Sequence, residues 1–310
     1  MCSRRTSQMW AWSLPIPWSR ATRAACSRPS RLFDMHSRHQ LSFDPFAQDP
    51  RYIRLNARFV DVILGYLGRP AAIRLLDLGT GTALIARLFR RRWQRLGVTA
   101  TIVCLDPDCA ALAGARAALA ADTMHFLVGK AETLPLRGLF DAVAFCNSIH
   151  LLEDGAKERA IQEVARVLRP GGLFAFNTTF YSGAYPHDTK RVYYTMMKNA
   201  LATLSTEIPG RRKTAGSVAM RWLSADEYAG MVQAAGLRVL RVHERQVMLT
   251  QASLEAISSY REFAQGALRA VSEDVGAASR ALVSSVRPSF KQLGIARLPR
   301  NWLEVVARKE

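Results

Sequence analysis

Apolar positions along this chain switch repeatedly between two periods. "AIRLLDLG", "ATIVCLD", "MHFLVG", "FDAVAFCN" and "LFAFNTTF" are short, nearly continuous apolar runs of the kind that make buried strands. Between them Thr82 to Leu96, Cys109 to Ala121 and Ala156 to Leu168 repeat their apolar residues at helical spacing, and the last is stopped by Pro170-Gly171-Gly172. Ahead of them "RYIRLNARFVDVILGYLG" places Ile53, Phe59, Val60, Ile63 and Leu67 at helical spacing and closes on Gly68. Strand and helix in alternation predict an α/β fold: a mostly parallel sheet with helices on both faces. Ligands on such sheets bind at the carboxyl ends of the strands.

The first strand runs into "LLDLGTGTALIARLF", which puts Asp77, Gly79 and Gly81 at a strand-to-helix turn. Glycine lets a ligand approach the backbone and accepts turn dihedrals that other residues resist. The following helix points its amide hydrogens and positive dipole end at whatever binds. Dinucleotide enzymes use the same device, but their G-x-G-x-x-G pattern fails here because Leu84 stands at the third glycine.

Five segments occur in order: "LLDLGTGTALIA", "IVCLDPD", "VGKAETLPL", "FDAVAFCNSIHLLED" and "VLRPGGLFAFNT". In order and separation they resemble the class I S-adenosylmethionine-dependent methyltransferases, most closely the methyltransferase type 11 family. The resemblance covers Ile73 to Thr179, and "LSADEYAGMVQAAGLRVLRV" is similar to that family's next helix and strand. It implies a Rossmann-like fold with a seven-stranded sheet whose last strand is antiparallel, for which "WLEVVARK", residues 302–309, is the candidate.

Carried over position by position, the resemblance implies that Gly79, Thr80 and Gly81 frame the methionine part of S-adenosyl-L-methionine and that Asp77 orients their loop. Asp106, followed by Pro107, would accept from both ribose hydroxyls, because a carboxylate offers two acceptor oxygens to two vicinal donors. A helix-capping role suits Asp108 better. Lys130, Ala131 and Glu132 fall in the adenine segment, and Asn147 lies where the backbone faces the methionine moiety. Two positions depart from the family: Ala83 replaces its third glycine, and Lys130, with three donors and no acceptor, stands where an aspartate usually accepts from the adenine amino group.

Methyl transfer from a sulfonium is an in-line displacement, and holding the nucleophile about 3 Å from the methyl supplies roughly 7–11 kcal/mol. A hydroxyl acceptor would also use a general base, adding roughly a hundredfold to ten-thousandfold. His150 is the candidate, with a structural histidine as the equal alternative. His125 and His243 lie in strand-like runs and read as structural, while Tyr181 and Tyr185 are candidate substrate contacts. Substrate choice is expected in two insertions. One is a basic lid over 181–223, carrying Lys190, Arg191, Lys198, Arg211, Arg212, Lys213 and Arg221 against Asp188 and Glu207. The other is a helical insertion over about 250–299, with Leu254, Ile257, Ala264, Leu268, Val271 and Val275 on one stripe. Between them Ser224-Ala225-Asp226-Glu227 reads as a capping box.

Composition adds limits. With 310 residues, 49% hydrophobic and 22% charged, the chain is ordinary globular material, expected to be soluble and without a membrane span. Five cysteines without a CxxC pair predict a reducing, cytoplasmic setting with no disulfide framework and no metal site. The net charge of +18 suggests an anionic partner. Residues 1–34 contribute six arginines and one acid, lack the pattern of a core element, and read as a disordered extension or a start assigned too early. The methyltransferase domain then spans 35–310, with its core at 71–180. The favoured activity is methyl transfer to a small, apolar or carrier- or lipid-like molecule. A nucleic-acid methyltransferase is disfavoured because "FCNSIH" carries neither an Asn/Asp-Pro-Pro-Tyr nor a Pro-Cys motif. A catalytically silent cofactor-binding protein is the third alternative, argued only by Lys130.

Overall fold

The computed structural model describes residues 41–119, 121–207, 222–268 and 274–310. The extension at 1–34 and residues 208–221 of the basic segment lie outside the described residues. Two helices lead in: α1 (Asp44–Ala47) and α2 (Pro50–Leu67). Asp49 caps α2 by accepting from the Arg51 amide, Pro50 fills its first position, and Gly68 ends it at φ 69°. The core then alternates as β1 (Ala72–Leu78), α3 (Leu84–Leu96), β2 (Thr99–Asp106), α4 (Cys109–Leu119), β3 (Met124–Val128), β4 (Phe140–Cys146), α5 (Asp154–Val167) and β5 (Leu168–Thr178). After it come α6 (Lys190–Glu207), α7 (Ala225–Ala234), β6 (Leu237–Thr250), α8 (Gln251–Ser258), α9 (Arg261–Leu268), α10 (Val275–Leu293) and β7 (Arg297–Lys309).

The seven strands stand in the order β3-β2-β1-β4-β5-β7-β6. Strands β1 to β5 run parallel, while β7 is antiparallel to β5 on one side and β6 on the other. Strand residues alternate between two cores, as a sheet covered on both faces requires. Leu75, Ala142, Ala144 and Ala175 pack with Phe59, Phe89 and Trp93 on one face. Leu76, Val143, Phe145, Phe174 and Phe176 pack with Ile161, Val164 and Tyr228 on the other. The chain order reverses between β1 and β4, and it is at the carboxyl ends of the strands beside such a switch that ligands bind on sheets of this kind.

Four expectations need correction. Helix α3 begins at Leu84, not Thr82, because Ala83 takes the left-handed conformation at φ 56°. The stripe from Leu254 to Val275 is divided among three helices, α8 ending at Ser258 and α9 starting at Arg261, while Val271 lies outside the described residues. The helical insertion ends with α10 at Leu293. Finally, β7 starts at Arg297, five residues before the expected 302. Pairing with β5 reaches only Leu303, so the earlier residues pair with β6 alone and Pro299 is accommodated there. The capping box appears as expected, Ser224 Oγ accepting from the Glu227 amide and Glu227 Oε2 from the Ser224 amide.

Candidate cofactor and acceptor site

Two carboxylates fix the loop between β1 and α3. Asp77, 1% exposed, accepts from Thr80 Oγ1 at 2.6 Å and from the Ala86 amide at 3.2 Å with the same oxygen. Burial pushes its pKa up to about 7 against these two hydrogen bonds. Asp106, at the end of β2, accepts from the Gly81 amide through Oδ2 and from the Asp108 amide through Oδ1, both at 2.9 Å. Each of its oxygens keeps a further acceptor position. Burial raises this carboxyl's pKa too, opposed by the two amides. Asp108 caps α4 through the amides of Ala110 and Ala111.

Gly79 and Gly81 both have positive φ, 65° and 48°. The demand on Gly79 is also steric, since a Cβ there would meet Ser148 Cβ and Oγ at 2.7 Å. The Gly79 and Thr80 amides donate to the Leu105 carbonyl, and Ser148 Oγ donates to the Gly79 carbonyl at 3.0 Å. The glycine loop is therefore bound to the ends of β2 and β4 together.

Asn147 follows β4 at φ 55°. Its Nδ2 and that of Asn177 donate to Asn56 Oδ1 at 3.0 and 3.1 Å, and Trp302 Nε1 donates to Asn147 Oδ1 at 2.9 Å. This buried amide network spends the Asn147 side chain on the protein. Its structural partners, Asn56, Asn177 and Trp302, come from α2, β5 and β7 and have no motif in the sequence. Of the segment expected to meet adenine, Lys130 is exposed, Ala131 is buried and Glu132 is half-buried, and the Gly129 amide ties the segment to the Asp106 carbonyl. Pro107 is exposed.

Across β1 from Asp106, the ends of β4, β5 and β7 build a second half of the site. His150 is 8% exposed, its Nδ1 is 3.1 Å from Thr178 Oγ1, and its ring stacks on Phe180 at 4.1 Å. Burial, helped by the positive charges of Lys157 and Arg300, pushes its pKa down to about 3. The imidazole is thus neutral at pH 7 and a weak proton acceptor. Tyr185 stacks on Trp222 at 5.1 Å and lies under the Arg300 guanidinium at 3.9 Å. Tyr181 is placed elsewhere: it is fully buried in the core beside Phe176 and Tyr228, not grouped with Tyr185. His125 and His243 sit within β3 and β6, at the sheet's two edges.

Residues 75–172 match the model of the methyltransferase domain family. The ubiquinone/menaquinone biosynthesis C-methyltransferase of Methylobacterium nodulans is 31% identical over 175 residues, 54% of this chain and 67% of that protein. The chain belongs to the class I S-adenosylmethionine-dependent methyltransferases. The malonyl-[acyl-carrier protein] O-methyltransferase of Enterobacter lignolyticus is 29% identical over 232 residues, covering 69% of this chain and 84% of that enzyme. Several other curated relatives are matched over about half their length. YcgJ of Bacillus subtilis shares the fold at a TM-score of 0.50 with 17% identity, covering 82% of this chain and 98% of its own.

The protein is thus a methyltransferase with a Rossmann-like fold. Among the described residues no helix is long and apolar enough to cross a membrane, and no group of three or more His, Cys, Asp or Glu is placed to hold a metal ion. Cys104 and Cys146 are buried thiols, and burial raises the pKa of both.

Proposed function

We propose that this methyltransferase binds S-adenosyl-L-methionine along the ends of β2, β1 and β4 and methylates a small apolar or carrier-linked metabolite beside His150. The observation that carries the reading is Asp106: a carboxylate at an open strand end whose two oxygens each hold one loop amide and retain room for one ribose hydroxyl. Gly79 and Gly81 leave the loop backbone free of side chains, and Thr80 is turned inward onto Asp77. With the Asn147 side chain occupied, its backbone carbonyl is the group left for the methionine part.

Lys130 does not fit an adenine amino group, so adenine recognition falls to Glu132 or to backbone carbonyls of 129–132. The bound sulfonium supplies an already activated methyl, which leaves orientation of the acceptor as the protein's main task. His150 acts there as a neutral wall residue stacked on Phe180. The carrier-linked form of the proposal draws support from the Enterobacter lignolyticus relative, whose name gives malonyl-[acyl-carrier protein] as its substrate. Seven basic residues against two acids over 181–223 suit an anionic carrier.

Titration calorimetry with S-adenosylhomocysteine tests the cofactor half. Saturable one-to-one binding is expected, and its absence removes the reading. Incubation of the enzyme with S-adenosylmethionine and an acyl thioester panel, read by mass spectrometry, tests the acceptor half.

A further inference from the structure

Arg300 is 4% exposed, an unusual place for a guanidinium. Its Nε donates to Thr179 Oγ1 at 2.8 Å and its Nη2 to the Thr179 carbonyl at 2.7 Å. Nη1 is buried with no hydrogen-bond partner, and among the described residues no carboxylate pairs with the guanidinium. The rings of Tyr185, Tyr193, Trp222 and Phe180 surround it, with centroids 3.9, 5.3, 5.5 and 5.9 Å from Cζ. Aromatic faces and the nearby Tyr193 hydroxyl compensate part of the lost hydration, but Nη1 stays without an acceptor at hydrogen-bond distance. A buried cation in that condition is costly unless an anion completes it.

Its position says where that anion comes from. Arg300 precedes Trp302, which holds Asn147, and Thr179 directly follows β5, so the guanidinium stands at the acceptor end of the site and acts on His150 electrostatically. Tyr185 and Trp222 are half-buried, so the rings at the rim of the cage reach solvent while the guanidinium lies beneath them. We propose that Arg300 is a specificity-determining residue that binds a carboxylate of the acceptor, so that this methyltransferase selects acid-bearing molecules. A planar fork with a free N–H suits a carboxylate oxygen. A carboxylate also needs no proton removed before it acts as a nucleophile, which agrees with a neighbouring histidine held neutral.

The inference rests on the acceptor half of the proposed function, and malonyl-CoA and acetyl-CoA test it because they differ only by the terminal carboxylate. Both are titrated into the full chain saturated with S-adenosylhomocysteine. The expected result is malonyl-CoA tighter by tenfold or more, with the preference falling below threefold in Arg300→Gln and lying between in Arg300→Lys. S-adenosylhomocysteine affinity should stay within threefold in both variants, which shows an intact fold; if Arg300→Gln does not fold, Arg300→Lys carries the comparison. Equal binding of the two thioesters by the parent, or a preference kept in the variants, overturns the Arg300 inference and leaves the carrier-linked reading standing. No binding of either removes both. Should S-adenosylhomocysteine itself not bind, the cofactor reading fails separately, and the same thioester pair without it still measures the carboxylate preference.

Discussion

The two halves of the site satisfy their buried charges in opposite ways. At the ends of β1 and β2 the charges are carboxyl groups, and backbone amides answer them: Ala86 of α3 for Asp77, and Gly81 of the glycine loop and Asp108 of the turn after β2 for Asp106. At the ends of β4, β5 and β7 the charge is the Arg300 guanidinium, answered by one threonine and four rings with its Nη1 left unpaired. The first half closes on itself over 77–108. The second joins residues from 150 to 300, and no local pattern can specify it.

That contrast sets what the sequence made legible. The glycine loop was readable from residue type and spacing at a strand-to-helix turn, whereas the places of Asp77 and Asp106 came from the resemblance to the family, since Asp106 meets the Gly81 amide from 25 residues further along the chain. The alternation of strand and helix, also a matter of spacing, gave the sheet and its order of elements. The amide network of Asn56, Asn147 and Asn177, the bond from Trp302 and the ring cage around Arg300 depend on register between β5 and β7, more than a hundred residues apart in sequence. Arg300 was concealed besides by Pro299, which read as the end of an insertion and is part of a strand. Tyr181 and Tyr185 look alike in sequence, yet one enters the core and the other the cage. The tie of Ser148 to Gly79 was detectable only as a small residue after β4.

The largest expected effect breaks the carboxylate half. Asp106→Ala removes the acceptors proposed for the ribose hydroxyls and also frees the Gly81 amide. It should weaken S-adenosylhomocysteine by roughly 2–5 kcal/mol, on the order of thirtyfold to several-thousandfold. The urea midpoint should move much less, because the residue stands at an open strand end. Calorimetry that returns the parent's affinity would remove the ribose role.

Next in size is a pair of opposite pH responses, one from each half. His150 binds a proton less readily when folded, near 3 against an ordinary 6.5, so the folded chain holds fewer protons and stability falls as pH drops below about 6.5. Asp77 is shifted up, from 3.8 to about 7, so its contribution is full at low pH and is lost as pH rises through that range. Each pKa unit is worth about 1.4 kcal/mol, which makes each effect about 2 kcal/mol between pH 5 and 7. His150→Gln should therefore lose stability with rising pH, and Asp77→Asn with falling pH, relative to the parent. Urea unfolding at pH 5 and 7 reads both slopes, and slopes of the same sign would show that one of the two groups is not buried as described.

Gly79→Ala comes third. The new Cβ meets Ser148 at 2.7 Å on a backbone at φ 65°, which should cost about 1–3 kcal/mol of stability and loosen the loop. Adding Ser148→Gly removes the 2.7 Å contacts but also the Ser148 bond to the Gly79 carbonyl, and it leaves Phe145 Cε2 at 3.3 Å and the dihedral cost, so thermal melts referred to Ser148→Gly alone should show part of the loss recovered. Complete recovery would mean the dihedral carries no cost, and none would mean the contact with Ser148 was never the obstacle.

The smallest effect sharpens the one position where the carboxylate half lacks a carboxylate. Lys130→Asp places an acceptor where the family usually has one, and the question is how much an exposed site can gain. Lys130 is exposed and its backbone is already held by the Thr133 bridge, so the new side chain would compete with water for the adenine amino group. A net gain of about 0.5–1.5 kcal/mol follows, roughly a twofold to tenfold tightening of S-adenosylhomocysteine. Lys130→Ala supplies the control, because loss of the lysine without gain of an acceptor should leave affinity within about twofold. Equal tightening in both variants would assign the effect to the removed positive charge, and tightening in the aspartate alone would assign it to a bond with adenine. Weaker binding in both would mean that Lys130 itself contributes to holding the cofactor, and adenine recognition here would then differ in chemistry from the rest of the family.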